Sequence, residues 1–325
     1  MHFKSLCNKA AFNYYYIPQT GGLSGEEIIK MNKGTKPYSD ILEVVAKAKS
    51  FASKKGLTFR VAVLNWVQGE ADKDKAAGYY YPLLEQLFTD FNNDIKTITG
   101  QTDDVNIITY QTSPLKGVYT PSGSATKQPG DYDNPVAAMH VSNAQVAIAN
   151  NKANVFCCGA MYQYEYSDLY HPKDRAVVGL QQGIAAKRII HEGKEWVTFQ
   201  PISHEVIHDN GNYFLRLKFD VPCKPMRFDI SGDKYHNPNG KQPNFGFKVL
   251  NASGVDIIAS EPYIVKGDTV VFKCIENPVG ATVQYATNGH YGGGNLCDSQ
   301  NITIINKAQT YTIDNFCVAF DNYVI

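Results

Sequence analysis

Apolar residues in roughly the first 190 positions fall into two kinds of run, and the two kinds alternate along the chain. Phe12–Ile17 is aromatic and strand-like, and a Gly21-Gly22 turn follows it. Over Asp40–Lys55 the apolar residues Ile41, Leu42, Val44, Val45, Ala48 and Phe51 recur at helical spacing, with Ser39 placed to cap the helix and Gly56 to stop it. Phe59–Leu64 reads as a buried strand that runs into Trp66-Val67-Gln68-Gly69-Glu70-Ala71-Asp72. Pro82 opens a long helix with Leu83, Leu84, Leu87, Phe88, Phe91, Ile95 and Ile98 on one side, ended by Gly100. Val105–Tyr110 is the next strand, and a polar loop covers Ser113 to Asn134. A helix from Pro135 to about Asn150 and a buried strand at Asn154–Cys158 come next. Pro172 then opens the helix of Ala176, Val177, Leu180, Ile184 and Ile189, finishing near Gly193.

Such alternation predicts an open, mostly parallel sheet with helices on both faces. In sheets of that kind chemistry collects at the carboxyl ends of the strands. From about Trp196 the texture changes. Tyr213–Phe219, Phe245–Leu250, Thr269–Phe272 and Ala281–Tyr285 are short alternating runs separated by turn residues, which predicts an antiparallel β domain, a small sandwich. The expected division is 1–194 for the α/β domain and 195–325 for the β domain.

Lysine plus arginine and aspartate plus glutamate both number 31, so the net charge is zero and nothing favours nucleic acid or an anionic membrane as partner. No stretch approaches the ~18 apolar residues of a membrane span. Met1–Cys7 lacks the apolar run of a signal peptide, which leaves secretion unsupported. The 21 tyrosines suit strand-rich packing and also sugar-stacking surfaces. Seven cysteines without C-x-x-C spacing read mostly as buried thiols, with a Cys297–Cys317 bridge as one option.

Three segments could carry chemistry. Asp168 and His171 form a D-x-x-H element ahead of a helix, where a carboxylate can hold an imidazole in one tautomer and leave its other nitrogen to take a proton. Gln68, just past a strand, offers amide N–H groups to an acyl oxyanion, with Glu70 bracing the loop. The Gly21-Gly22 turn presents a backbone N–H, or is simply a turn needing φ > 0. Two other patterns carry less. His204-Glu205-Val206-Ile207-His208 matches the zinc-protease signature, but its β-branched centre and the following Asp209-Asn210-Gly211 turn predict a strand. Histidines four apart on a strand stand roughly 13 Å from each other, too far for one metal. Gly292-Gly293-Gly294 lacks the flanking strand and helix of a phosphate cradle and reads as a loop.

Together these segments resemble the SGNH-type (GDSL-like) hydrolases, in the branch of sialate O-acetylesterases, acetylxylan esterases and phage-tail deacetylase modules. Asp168 and His171 match its D-x-x-H motif, Gln68 to Asp72 its Q-G-E-[SA]-D segment, and Gly21-Gly22 its Gly-Gly turn. Lys33-Gly34-Thr35-Lys36-Pro37-Tyr38 and Asn315–Asp321 match runs found in some phage and bacterial members. The resemblance implies a flavodoxin-like α/β/α domain lacking its first strand. It implies His171 as general base, Asp168 as its orienting partner, and Gln68 with the N–H of Gly22 or Gly21 as oxyanion donors. The implied substrate is an acetylated polysaccharide or glycan, with no metal or organic cofactor. The implied setting is extracellular or virion-associated, with a homo-oligomer as one arrangement.

The family's nucleophile motif departs from this pattern. It precedes the Gly-Gly turn by many residues, whereas 20 residues precede Gly21 and none spells G-D-S or G-Q-S. Ser5, Ser24 and Cys7 lack the required setting. The serine therefore comes from an upstream segment or another chain, or has been lost. The rival reading is a non-catalytic glycan- or receptor-binding module, with Tyr162, Tyr164, Tyr166 and Tyr170 stacking on sugar rings.

Overall fold

The computed structural model describes residues 16–73, 75–113, 139–166, 171–232, 240–287, 293–306 and 309–325. Its first half is a parallel three-stranded sheet, order β1 (Val63–Asn65), β2 (Asn106–Gln111), β3 (Val155–Ala160). Helices α1 (Lys36–Lys54), α2 (Tyr80–Thr99), α3 (His140–Asn151) and α4 (Ala176–Ala186) flank it. Strand alternation divides the helices between the faces: Ile107 and Val155 join the core of α1, α2 and α3, whereas Ile108 and Cys158 join that of α4. The mixed α/β layout matches the expectation. The predicted first strand, Phe12–Ile17, falls largely outside the described residues, as does most of the Ser113–Asn134 loop.

Several boundaries move, for local reasons. Helix α1 begins at Lys36, four residues before the predicted start, because Pro37 is tolerated in a first turn. Ser39 is therefore inside the helix, its hydroxyl donating to the Thr35 carbonyl at 3.0 Å instead of capping. The buried stripe of α1 is Tyr38, Val45 and Ala52, which leaves Phe51, expected on the apolar face, 58% exposed. Lys33 Nζ and the Tyr38 hydroxyl both bind Asp94 on α2, so the Lys33–Tyr38 run serves to clip α1 to α2. The strand predicted at Phe59–Leu64 shrinks to Val63–Asn65 and is only partly buried. Upstream of it, the Gln101 side chain takes both the N–H (2.9 Å) and the carbonyl (3.2 Å) of Val61, replacing a strand partner there. Helix α2 starts at Tyr80, two residues ahead of Pro82, and ends as predicted at Gly100, which is left-handed at φ 74°. Beyond α4 the chain widens into a π-type turn at Lys187–His191 instead of continuing as α-helix.

The second half is antiparallel. A four-stranded sheet runs β4 (Gln200–Asp209), β5 (Asn212–Asp220), β9 (Thr269–Cys274), β8 (Tyr263–Val265). A three-stranded sheet runs β14 (Phe320–Val324), β10 (Thr282–Tyr285), β7 (Phe247–Leu250). Two pairs complete it: β6 (Arg227–Phe228) with β11 (Leu296–Cys297), and β12 (Ile302–Asn306) with β13 (Gln309–Ile313). His204 and His208 lie on β4, and the hairpin after them turns at Asn210 (φ 49°) and Gly211 (φ 78°). His208 stacks on Tyr213 and His204 packs against Tyr323, so the two imidazoles go to different neighbours.

Cys297 and Cys317 are both free and buried, which overturns a bridge between them. Cys297 is the bridge partner of Phe316, and side chains alternate along extended backbone, so Cys317 faces the other way. Of the three consecutive glycines, Gly292 lies outside the described residues, and Gly294 is required by packing: a Cβ there would meet the Tyr285 ring at 2.4 Å.

The halves share one apolar cluster, in which Ala160 and Tyr162 pack with Leu215, Phe247, Tyr285, Phe316 and Cys317. Gln111, at the carboxyl end of β2, donates to the Ala319 carbonyl (2.8 Å) and accepts from its N–H (2.7 Å). The Tyr162 hydroxyl donates to the Cys317 carbonyl at 2.7 Å. Residues 317–319 thus cover the carboxyl ends of β2 and β3.

Candidate active site

The loop after β1 is built around Gly69. Its backbone takes φ 151°, ψ −29°, and a Cβ there would meet Gln145, Val141 and Thr112 at 2.7–2.9 Å. Only glycine meets both demands. Gln145, fully buried on α3, binds the two neighbouring strand ends: its Nε2 donates to the Gln68 carbonyl at 2.9 Å and its Oε1 accepts from the Thr112 N–H at 2.8 Å.

Gln68 is buried, and its side chain points into the protein. Its Nε2 donates to Asp72 Oδ2 at 2.5 Å and to the Glu26 carbonyl at 3.1 Å. Its Oε1 accepts from the Tyr80 hydroxyl at 2.8 Å. Both amide hydrogens are thereby engaged. Asp72 Oδ2 also accepts from the Ile28 N–H at 2.9 Å, so Gln68 and Asp72 tie the post-β1 loop to the segment that follows the glycine turn. Burial raises the Asp72 carboxyl above the ordinary aspartate range, against the pull of Gln68 and the Ile28 N–H.

Gly21 and Gly22 do not need φ > 0; the left-handed residue of that turn is Gly25, at φ 76°. The constraint on Gly21 is steric, since a Cβ would meet Ile41 Cγ1 at 2.3 Å. Gly22 is exposed, and so is Ser24.

Glu70 is half-buried and accepts a 2.5 Å hydrogen bond from the hydroxyl of Tyr110, a buried residue of β2. Burial drives the Tyr110 phenol well above its ordinary value, and the Glu70 carboxylate, with Tyr80 and Tyr166, adds to the shift. Tyr166 is bridged to Pro172, directly after His171. The loop after β1 thus reaches Tyr110 through Glu70, and Tyr166 acts electrostatically on the same phenol. His171 itself is partly exposed. Asp168 lies outside the described residues, as do Ser5, Cys7 and Tyr170.

The tyrosines expected to stack on sugars are core residues. Tyr162, Tyr164 and Tyr166 are all buried, and their hydroxyls bind the Cys317 carbonyl, Gln181 Oε1 and the Met161 carbonyl respectively. Rings so enclosed offer no face to a ligand. Sequence reading passed over Tyr80, Tyr110 and Gln145. For Gln145 a signal existed, an amide among the apolar positions of an amphipathic helix; for Tyr110 there was none.

No protein-family profile matches the chain, and no curated protein does. Among solved structures, the chain is similar in fold to a carbohydrate acetylesterase from Xanthomonas citri, with a TM-score of 0.53 and 16% identity. The match covers 81% of this chain and 50% of that one, so the chain spans about half the length of that protein.

Proposed function

We propose that the chain works as an SGNH-type carbohydrate O-acetylesterase, removing acetyl groups from a polysaccharide or glycan. Support comes from the carboxyl end of the parallel sheet, where Glu70 on the loop after β1 accepts from Tyr110 and where Tyr166, bridged to Pro172 beside His171, acts electrostatically on the same phenol. The fold likeness to a carbohydrate acetylesterase supports it.

In this mechanism a serine supplied from outside the chain attacks the acetyl carbonyl carbon, and His171 takes the serine proton while Asp168 steadies the imidazolium. The carbonyl oxygen becomes an oxyanion, met by the N–H of Gly22 or Gly21. Gln68 joins them only by releasing Asp72 or the Glu26 carbonyl, since both its amide hydrogens are engaged. His171 returns its proton to the departing sugar oxygen, and water then hydrolyses the acetyl-enzyme. Residues 1–194 carry the chemistry in this reading. Residues 195–325, a sandwich-like β domain, select the sugar together with the 113–134 loop.

The test is hydrolysis of p-nitrophenyl acetate by the product of the full reading frame that encodes the chain, with His171→Ala alongside. Turnover that His171→Ala abolishes supports the esterase. No turnover, together with glycan binding that survives His171→Ala, replaces it with the binding-module reading.

A further inference from the structure

One phenol of the central strand binds the loop after β1. Tyr110 is 3% exposed on the central strand, and its hydroxyl donates at 2.5 Å to Glu70 Oε1, on the loop after β1. Tyr166, one bridge away from the His171 turn, acts on the same phenol from the β3 side. Tyr80 from α2 acts on the same phenol, and Asp72 and Glu70 both act on Tyr80.

We propose that Tyr110 is a positioning residue of the site, fixing the Glu70 carboxylate in one orientation at the carboxyl end of the parallel sheet. The proposal rests on the esterase reading, in which His171 becomes a cation during each turnover and gains from a fixed negative charge at the site. Geometry supports it in two ways. A hydroxyl-to-carboxylate bond at 2.5 Å is in the short, charge-assisted range. The donor is also permanent, because burial and Glu70 keep the phenol protonated far into the alkaline range. Tyr110 thus stays a donor to Glu70 whichever way the histidine proton moves.

Tyr110→Phe removes the donor and keeps the ring. The measurement is a carboxyl 13C NMR titration of glutamate-labelled protein, with the Glu70 resonance assigned by Glu70→Gln, beside the pH profile of p-nitrophenyl acetate turnover. In Tyr110→Phe the Glu70 titration midpoint should rise by about one pH unit. The acid limb of kcat, where Glu70 takes up its proton, should move up with it, costing up to about tenfold at pH values below both midpoints, with KM within about twofold of the parent. A purely structural tyrosine would lower stability and move neither curve. A Glu70 resonance that titrates identically with and without the hydroxyl overturns the positioning role, and so does an unmoved acid limb in an active enzyme. Absence of any His171-dependent turnover in the parent defeats the esterase reading itself, and the catalytic sense of the proposal with it.

Discussion

Gln111 and Ala319, 208 residues apart in sequence, share two hydrogen bonds through which a side-chain amide pairs with a backbone peptide as a neighbouring strand would. Both residues are buried. Replacing Gln111 with alanine therefore orphans an N–H and a carbonyl away from water, each costing about 1–3 kcal/mol. Gln111→Ala should lower unfolding free energy by about 2–6 kcal/mol in a urea titration. A loss below about 0.5 kcal/mol would mean that the pairing is incidental.

Two glycines with positive φ should respond very differently to alanine. Gly78 (φ 81°) has open space where a Cβ would stand, so Gly78→Ala should cost only backbone strain, about 1 kcal/mol. Gly69 (φ 151°) has Gln145, Val141 and Thr112 within 2.9 Å of that position. Gly69→Ala should cost at least about 3 kcal/mol or prevent folding. Thermal melts of the two variants would show it, and equal shifts would refute the packing argument.

Asp298 supplies a pH dependence of unusual sign. It is fully buried, its Oδ1 accepting from the N–H groups of Gln300 and Asn315 and its Oδ2 from the Asn315 amide. Burial outweighs those donors and pushes the carboxyl up to about 6. The folded value lies above the unfolded one near 3.9, so the native state binds more protons between them. The stability this group contributes is full below about pH 4 and is lost as pH rises through about 6, roughly 3 kcal/mol in all. Asp298→Asn should flatten this dependence: the stability difference between variant and parent should change by that order between pH 4 and 7. A difference independent of pH would refute the assignment.

Asp94 is held by Lys33 and the Tyr38 hydroxyl, and despite some burial its carboxyl sits below the ordinary aspartate range. Its contribution is present above the unfolded value and lost as pH falls through the lower, folded one. Tyr38→Phe should cost about 1 kcal/mol at neutral pH, less once Asp94 is protonated. Denaturant titrations at pH 7 and pH 2.5 would reveal it, and a cost that stays the same at both would discount the clip.

Long periodic segments were legible in the sequence. The apolar stripe from Leu84 to Ile95 and the glycine after it fix α2 without tertiary help. The start of α1 was misread because Ser39 and Pro37 both signal a helix start, and proline in the first turn prevailed. Short elements set by distant partners were not legible: β1 is trimmed where Gln101, remote in sequence, occupies Val61. At the site, the sequence marked Gln68 and Glu70 as special but not the direction of their side chains. That direction depends on Tyr80, Asp72 and Tyr110, whose roles appear only once the strands are side by side. The tyrosines after β3 were misjudged for the same reason: composition counts phenols and says nothing of which way they face.

Residues 317–319 are synthesised well after β2 and β3, Cys317 155 positions beyond Tyr162 and Ala319 208 beyond Gln111, yet they close the ends of both strands. While the ribosome is still making the β region, Tyr162 and Gln111 wait without their partners, so the parallel sheet stays unsealed until residues 317–319 have emerged. A nascent chain stalled before Phe316 would expose a sticky, half-finished edge to chaperones, and its release would let the rim snap shut.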